Sequence, residues 1–164
     1  MIDLQGFLPV VGRPMTRSEY AAWAGKEYGV APTGIAIHHF AHDYPDNWTV
    51  EGIALDVAGY HTGQQKWPTI GYYAIIAPNG DIAICNSRDT ASYHVAGRNH
   101  ELLGIALSGD FSKHPPTDEQ IASFNWWYNC YEVGLPVKGH KDWALSPTSC
   151  PGEWLDITKL QGVE

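Results

Sequence analysis

Short apolar runs that are bounded by turn residues constrain the fold of this chain more than any other feature. "TGIAIHHF", "ELLGIALSGDF" and "LPVKGH" each have the length of a buried strand and are flanked by glycine or proline. The longer run "IGYYAIIAPNGDIAICN" is interrupted by Pro78, Asn79, Gly80 and Asp81, which are typical turn residues. We therefore expect a hairpin there and strands at the other three runs.

Helical patterns lie between these runs. Thr16–Gly29 and Thr49–Gly63 are predicted to be helices, and "PPTDEQIASFNWWYNCYEVG" predicts another that starts with a Thr117–Gln120 capping box and stops at Gly134. Strands interleaved with helices indicate an α/β fold with a mixed central β-sheet flanked by helices. Because 164 residues suit one domain, we expect a single domain over residues 1–164.

The charge and hydropathy of the chain exclude several partners. The net charge of −8 argues against nucleic acid and against an anionic membrane surface, since both need clustered Lys and Arg. No apolar stretch approaches the roughly 20 residues that span a bilayer. The N-terminus lacks the basic and apolar regions of a signal peptide. We expect a monomer made in the cytoplasm.

The three cysteines are an odd number and do not form a closed disulfide set. Cys85 lies in a strand-like run and Cys130 in a helical pattern, so both are expected to be reduced core residues. Cys150 lies in "GHKDWALSPTSCPGE", which is too broken by proline to predict a helix or a strand. This cysteine therefore needs another explanation.

A metal site is one explanation. His38 ends one predicted strand, His140 ends another, and Cys150 follows in the loop. Two imidazoles and one thiolate suit Zn²⁺, and three protein ligands leave a fourth position open, as in catalytic zinc sites. Spacing alone is a weak signal in a chain with eight histidines, and His39 is an alternative to His38 because both faces of that strand look buried.

Several segments follow in the order of a known family. "IAIHHF", "WPTIGYYAIIAPNGDI", "SYHVAGRNHELLGIALSGDF", "PTDEQ" and "KGHKDWALSPTSCPGEWL" make the chain resemble the peptidoglycan amidases, which include phage endolysins and animal peptidoglycan recognition proteins. The resemblance covers about Ile35–Leu160, and its most specific part is the histidine followed by Cys-Pro-Gly. It implies a sheet flanked by helices, a zinc site in a groove, and hydrolysis of the amide between N-acetylmuramic acid and L-alanine.

The resemblance also assigns residues. It implies that His38, His140 and Cys150 bind zinc and that Tyr72 and Thr148 are catalytic, with threonine where many phage enzymes have lysine.

Other positions are implied to line the substrate groove. His94 and Asn99 match family positions there, and Trp67 is expected to flank it. Some cytoplasmic relatives carry a glutamate where this chain has Ala106, which argues against a role in cytoplasmic recycling.

Two functions from different classes remain open. The first is a zinc-dependent amidase, most simply a phage endolysin that acts on the cell wall after release. The alternative is a non-enzymatic peptidoglycan-binding module of the same fold, although such modules commonly lose the cysteine that this chain keeps. Peptidoglycan is the partner in both cases, and its diaminopimelate or lysine type is left open. An unrelated zinc hydrolase would require the ordered motifs to be a coincidence.

Overall fold

A computed structural model describes residues 32–86 and 92–160, which are built on one five-stranded mixed sheet. The strands are β1 Gly34–His39, β2 Ala74–Ile76, β3 Ile82–Ile84, β4 Leu102–Leu107 and β5 Val137–Gly139, and their order across the sheet is β3-β2-β4-β1-β5. β1 lies between β4 and β5 and runs parallel to both. β2 runs parallel to β4 and antiparallel to β3. The predicted α/β fold and the hairpin are thus confirmed.

Within the described residues, three helices, two helical extensions and a final 3₁₀ turn accompany the sheet. They are α1 Val50–Gly59, which continues as a π-helical turn Tyr60–Gln64; α2 Asp118–Trp127, which continues as Tyr128–Glu132; α3 His140–Trp143; and a final 3₁₀ turn Ile157–Leu160. The predicted helix over Thr16–Gly29 lies outside the described residues. Within the described ranges, every helix is too short or too polar to cross a membrane.

The capping box predicted for α2 is present. The Thr117 hydroxyl accepts a hydrogen bond from the Gln120 backbone N–H, and the Gln120 side chain accepts one from the Thr117 N–H, both at 3.1 Å. The Gln120 side-chain amide is buried and donates to the carbonyls of Ile76 and Ser108. Gln120 therefore completes the capping box at the start of the helix and also fastens the helix to the ends of β2 and β4.

The two long helices pack on opposite faces of the sheet. Ile35 and Ile37 of β1 belong to a buried cluster with Phe124 of α2, whereas Ile53 of α1 packs with a second buried cluster that includes Ala106. Side chains alternate between faces along a strand. Because His38 pairs with Ala106 across the sheet, it belongs to the α1 face, and His39 belongs to the α2 face.

The segment Gly139–Glu153 contains more regular structure than its prolines predict. Gly139 ends β5, and His140–Trp143 forms one turn of helix. The prediction was wrong there because the first proline of the segment is Pro147, so the residues before it retain their backbone N–H groups. The Trp143 indole N–H donates to the Ile35 carbonyl at 2.9 Å, which docks this turn on β1.

Candidate metal centre

Neighbouring strands bring the two histidines of the centre together. Ile37 of β1 pairs with Gly139 of β5, so the residues that follow, His38 and His140, lie side by side. Their ring centroids are 4.6 Å apart. His38 is 2% exposed, whereas His140 is partly exposed. The centre therefore has one ligand candidate at the sheet and one nearer the surface.

The loop after α3 returns Cys150 to these histidines. The Lys141 N–H donates to the Cys150 carbonyl at 2.9 Å, which fastens the end of the loop to its beginning. The Cys150 N–H donates to the Thr148 hydroxyl at 3.2 Å, and the Gly152 N–H donates to the Ser149 carbonyl at 2.7 Å. The loop is held mainly by its own backbone groups.

Gly152 explains why glycine follows the Cys-Pro pair. Its φ angle is +95°, a conformation that other residues adopt at a cost. A Cβ atom at this position would lie 2.4 Å from the backbone of Phe111. The close approach lets the Trp154 N–H donate to the Phe111 carbonyl at 3.0 Å. The loop can therefore lie against the segment that follows β4.

His38, His140 and Cys150 have the donor atoms and the spacing of a zinc site. Their nearest ligand atoms all lie within 4.8 Å of one another. The Cys150 Sγ atom is 3.7 Å from His38 Nδ1. Usual Zn–N and Zn–S bond lengths at a tetrahedral angle place nitrogen and sulfur about 3.6 Å apart. The residues present therefore fit zinc.

The surroundings favour the uncharged form of all three candidate ligands. Burial lowers the pKa of His38 well below its ordinary value, and the neighbouring His94 and His140 lower it further. Burial also lowers the pKa of His140. Burial raises the pKa of the Cys150 thiol to about 11, against the opposing effect of the His39 backbone N–H. A cation entering this site would provide the charge that stabilises the thiolate.

His39, the alternative to His38, has other contacts. Its Nδ1 atom accepts a hydrogen bond from the Phe111 N–H at 3.1 Å, and its ring packs against the Phe111 ring at 6.0 Å. These contacts lie on the α2 face of the sheet. The structure therefore groups His38, and not His39, with His140 and Cys150.

Tyr72, which the resemblance assigned to catalysis, lies next to the centre. Its ring centroid is 5.2 Å from that of His38, and it also packs on His61 and Phe40. Burial raises the pKa of the Tyr72 hydroxyl, and Cys150 adds to this effect. The hydroxyl consequently stays protonated at neutral pH and is available as a hydrogen-bond donor.

Asn86, which the sequence analysis did not single out, holds the backbone on both sides of this tyrosine. Its side-chain amide donates to the Ile70 carbonyl at 2.6 Å and to the Tyr72 carbonyl at 2.8 Å. Its side-chain oxygen accepts a hydrogen bond from the Thr69 hydroxyl at 2.8 Å. An asparagine directly after a predicted hairpin strand is the only sequence signal for this role.

Replacing Asn86 by leucine is expected to destabilise the fold, because two backbone carbonyls lose their donor while the volume is retained. Each unsatisfied buried group costs about 1–3 kcal/mol. Urea unfolding measures this loss. The same substitution at the exposed Asn129 is the control and should change stability by less than about 0.5 kcal/mol. Equal, small effects at both positions would show that Asn86 does not hold the Tyr72 segment.

Thr148 lies two residues before Cys150 and is partly exposed. Its hydroxyl oxygen accepts a hydrogen bond from the Cys150 N–H. The hydroxyl hydrogen can therefore rotate to donate to another group. The structure thus places both residues that the resemblance assigned to catalysis near the three candidate ligands.

The three residues predicted to line the substrate groove have contacts within the protein. His94 is 8% exposed, and Asn99 accepts hydrogen bonds from the N–H groups of His94 and Val95 at 2.9 and 2.8 Å. Burial lowers the pKa of His94 to about 4, so its ring is neutral. Trp67 is partly exposed and stacks on Tyr93 at 5.8 Å. Substrate contact by these residues stays a prediction.

A mixed sheet flanked by helices, with a His-His-Cys group formed by the buried His38 and the partly exposed His140 and Cys150, defines the class of this chain. It belongs to the N-acetylmuramoyl-L-alanine amidase family, whose sequence model matches residues 28–153. This match confirms the family resemblance predicted from the ordered motifs.

Individual relatives include both enzymes and recognition proteins. The chain is 26% identical to peptidoglycan-recognition protein SD of Drosophila simulans over 94% of its length and 86% of the relative. Among solved structures, the N-acetylmuramoyl-L-alanine amidase LysC of Clostridium intestinale is 26% identical with a TM-score of 0.65, covering 79% of this chain and 83% of LysC. The human recognition protein PGRP-IβC was solved in complex with glycosamyl muramyl pentapeptide and is 21% identical, with a TM-score of 0.67. The match covers 82% of this chain and 89% of PGRP-IβC, and it shows that the two share a fold.

Proposed function

We propose that this protein is a zinc-dependent peptidoglycan hydrolase that cleaves the amide between N-acetylmuramic acid and L-alanine. The observation that carries the proposal is the convergence of His38, His140 and Cys150, whose ligand atoms lie within 4.8 Å of one another beside Tyr72. The family match supports the amidase chemistry, and the named activity of LysC supports the bond that is cleaved.

His38, His140 and Cys150 would hold the metal. When bound, Zn²⁺ supplies a Lewis acid that polarises a carbonyl and lowers the pKa of a water molecule to about 7. The three side chains would contribute two neutral nitrogen donors and one thiolate, and the partly exposed His140 and Cys150 would lie on the side that the substrate reaches. The buried His38 would tie the metal to the sheet.

Tyr72 and Thr148 would act on the reacting atoms. The Tyr72 hydroxyl stays protonated, so we assign it the donation of a hydrogen bond to the attacking water or to the tetrahedral intermediate rather than the removal of a proton. The Thr148 hydroxyl would donate to the developing oxyanion while its oxygen keeps the Cys150 N–H. Ala106 lies opposite His38 on β4, so the strand position that carries a glutamate in some relatives provides no base here.

Peptidoglycan is the proposed substrate, and a phage endolysin is the proposed biological setting. The solved endolysin amidase LysCS of Clostridium intestinale shares the fold, with a TM-score of 0.64. The complex of human PGRP-IβC shows that a protein of this fold accommodates a muramyl peptide. In this setting the protein is a monomer that is made in the host cytoplasm and reaches the cell wall after release.

Removing the metal is expected to abolish hydrolysis and to leave the fold intact. The hydrophobic clusters lie between the sheet and the helices, so the core does not require the ion. The protein should contain about one zinc per chain by elemental analysis. A chelator should stop the release of amino groups from purified cell walls, and stoichiometric zinc should restore it, with circular dichroism unchanged throughout.

The same assay separates the enzyme from the binding module. A chelated protein that still hydrolyses walls would contradict a metal mechanism. A zinc-loaded protein that sediments with cell walls but releases no amino groups would identify a peptidoglycan-binding module instead.

A further inference from the structure

The buried imidazole of His94 links the first candidate ligand to the sheet. Its Nδ1 atom is 3.0 Å from His38 Nε2, and its Nε2 atom is 3.1 Å from the Leu102 carbonyl oxygen. The His38 and His94 rings meet edge to face, with centroids 5.1 Å apart. A continuous chain of hydrogen bonds therefore runs from β4 through His94 to His38.

The carbonyl at the end of this chain fixes the direction of every hydrogen bond in it. A carbonyl oxygen only accepts, so His94 Nε2 carries a hydrogen and donates to Leu102. In the neutral ring, His94 Nδ1 is then an acceptor, and His38 Nε2 must be the donor. The remaining nitrogen of His38, Nδ1, has no hydrogen. This Nδ1 atom, with its free lone pair, lies 3.7 Å from Cys150 Sγ.

We propose that His94 is a positioning residue that holds His38 in the tautomer and orientation required to bind the metal through Nδ1. The inference rests on the proposed zinc site and adds a residue that does not itself touch the metal. Metal-binding histidines usually donate their second N–H to a carboxylate, a carbonyl or a water, and this contact orients the ring. Here the imidazole of His94 accepts that hydrogen bond from His38. Its own hydrogen bond to the Leu102 carbonyl orients the His94 ring.

Two neighbours fix the His94 ring. The Asn99 side chain accepts hydrogen bonds from the backbone N–H groups of His94 and Val95, which sets the course of the chain at this point. Gly104 of β4 provides the space for the ring, because a Cβ atom there would lie 2.6 Å from His94 Cγ. The imidazole is thus packed directly on the strand whose carbonyl it contacts.

Zinc affinity of four proteins tests this role: the wild type, His94→Leu, His94→Gln and His94→Asn. Dissociation constants are measured by competition with a chromophoric chelator. Losing a contact behind a metal ligand typically weakens metal binding about 10–100-fold, which we expect for His94→Leu and for His94→Gln. Asparagine can place its side-chain oxygen near the position of His94 Nδ1, so His94→Asn should stay within about threefold of the wild type by the same reasoning.

His61→Leu is the matched control. His61 is also a buried histidine, and it accepts the Gly71 N–H and packs on Trp67. Its replacement should lower stability without changing the zinc dissociation constant. If His94→Leu does not fold, the pair of Asn and Gln variants decides, because both keep a polar side chain and only asparagine keeps the acceptor beside His38.

Equal zinc affinity of the wild type and the His94→Gln variant would overturn the inference. A His94→Asn variant that binds zinc as weakly as His94→Gln would also overturn it, because packing and not the acceptor would then be the cause. A wild-type protein that does not bind zinc would overturn the proposed metal site and this inference together, which is a distinguishable result.

Discussion

Replacing Cys150 by serine is expected to abolish wall hydrolysis and to weaken zinc binding by more than about 100-fold. The bound is conservative, since even a residue one step behind a ligand costs about 10–100-fold. Serine removes the sulfur that lies 3.7 Å from His38 Nδ1 but keeps the backbone groups that hold the loop. Chelator competition measures the affinity, and amino-group release measures the activity.

Cys130→Ser is the matched control for this substitution. Cys130 follows α2 in the helical extension Tyr128–Glu132, outside the ligand group, so its replacement should leave zinc content and hydrolysis unchanged. Circular dichroism should show that both variants are folded. Full activity and one bound zinc in Cys150→Ser would show that the thiol is a bystander and would remove the basis of the proposed site.

Replacing Tyr72 by phenylalanine should lower kcat and kcat/KM together by about 10²–10³-fold, the usual loss for one positioned donor or proton-transfer group. The ring contacts with His38 and Phe40 are retained, so zinc content and fold should survive. A group that acts only in the transition state affects both constants when it is removed. Steady-state kinetics on a soluble muramyl peptide provides the measurement.

Tyr128→Phe removes a hydroxyl on the α2 face of the sheet, outside the ligand group, and serves as the comparison. That hydroxyl donates to the Leu135 carbonyl and accepts the Gly134 N–H, so its loss should lower stability and leave kcat unchanged. If Tyr72→Phe keeps a near-normal kcat and only KM rises, Tyr72 binds the substrate and takes no part in the chemical step.

The sheet was predictable because its strands are buried and therefore strongly apolar. Both faces of β1 are covered, which explains the continuous run "GIAI" and also explains why the sequence could not choose between His38 and His39. That choice depends on register: His38 pairs with Ala106 on the α1 face, and register comes from the neighbouring strand. The family resemblance named His38, and the geometry groups the same residue with the other ligands.

Other parts of the site depend on contacts that local pattern does not encode. The contact between His94 and His38 spans 56 positions of sequence, and the clamp of Asn86 on the Tyr72 carbonyl spans 14. The turn α3 forms at the start of a proline-rich segment because β5 and the indole of Trp143 dock it on the sheet. Each of these features follows from tertiary packing rather than from propensity.

The most direct test of the central claim is mass spectrometry of a defined muramyl peptide after incubation with the zinc-loaded protein. We predict two products: a peptide with a new free amino terminus at L-alanine, and a glycan whose muramic acid carries a free lactyl carboxylate. Cleavage within the glycan or between two amino acids of the peptide, or complete recovery of intact substrate from a folded, zinc-loaded protein, would contradict the assignment as an amidase.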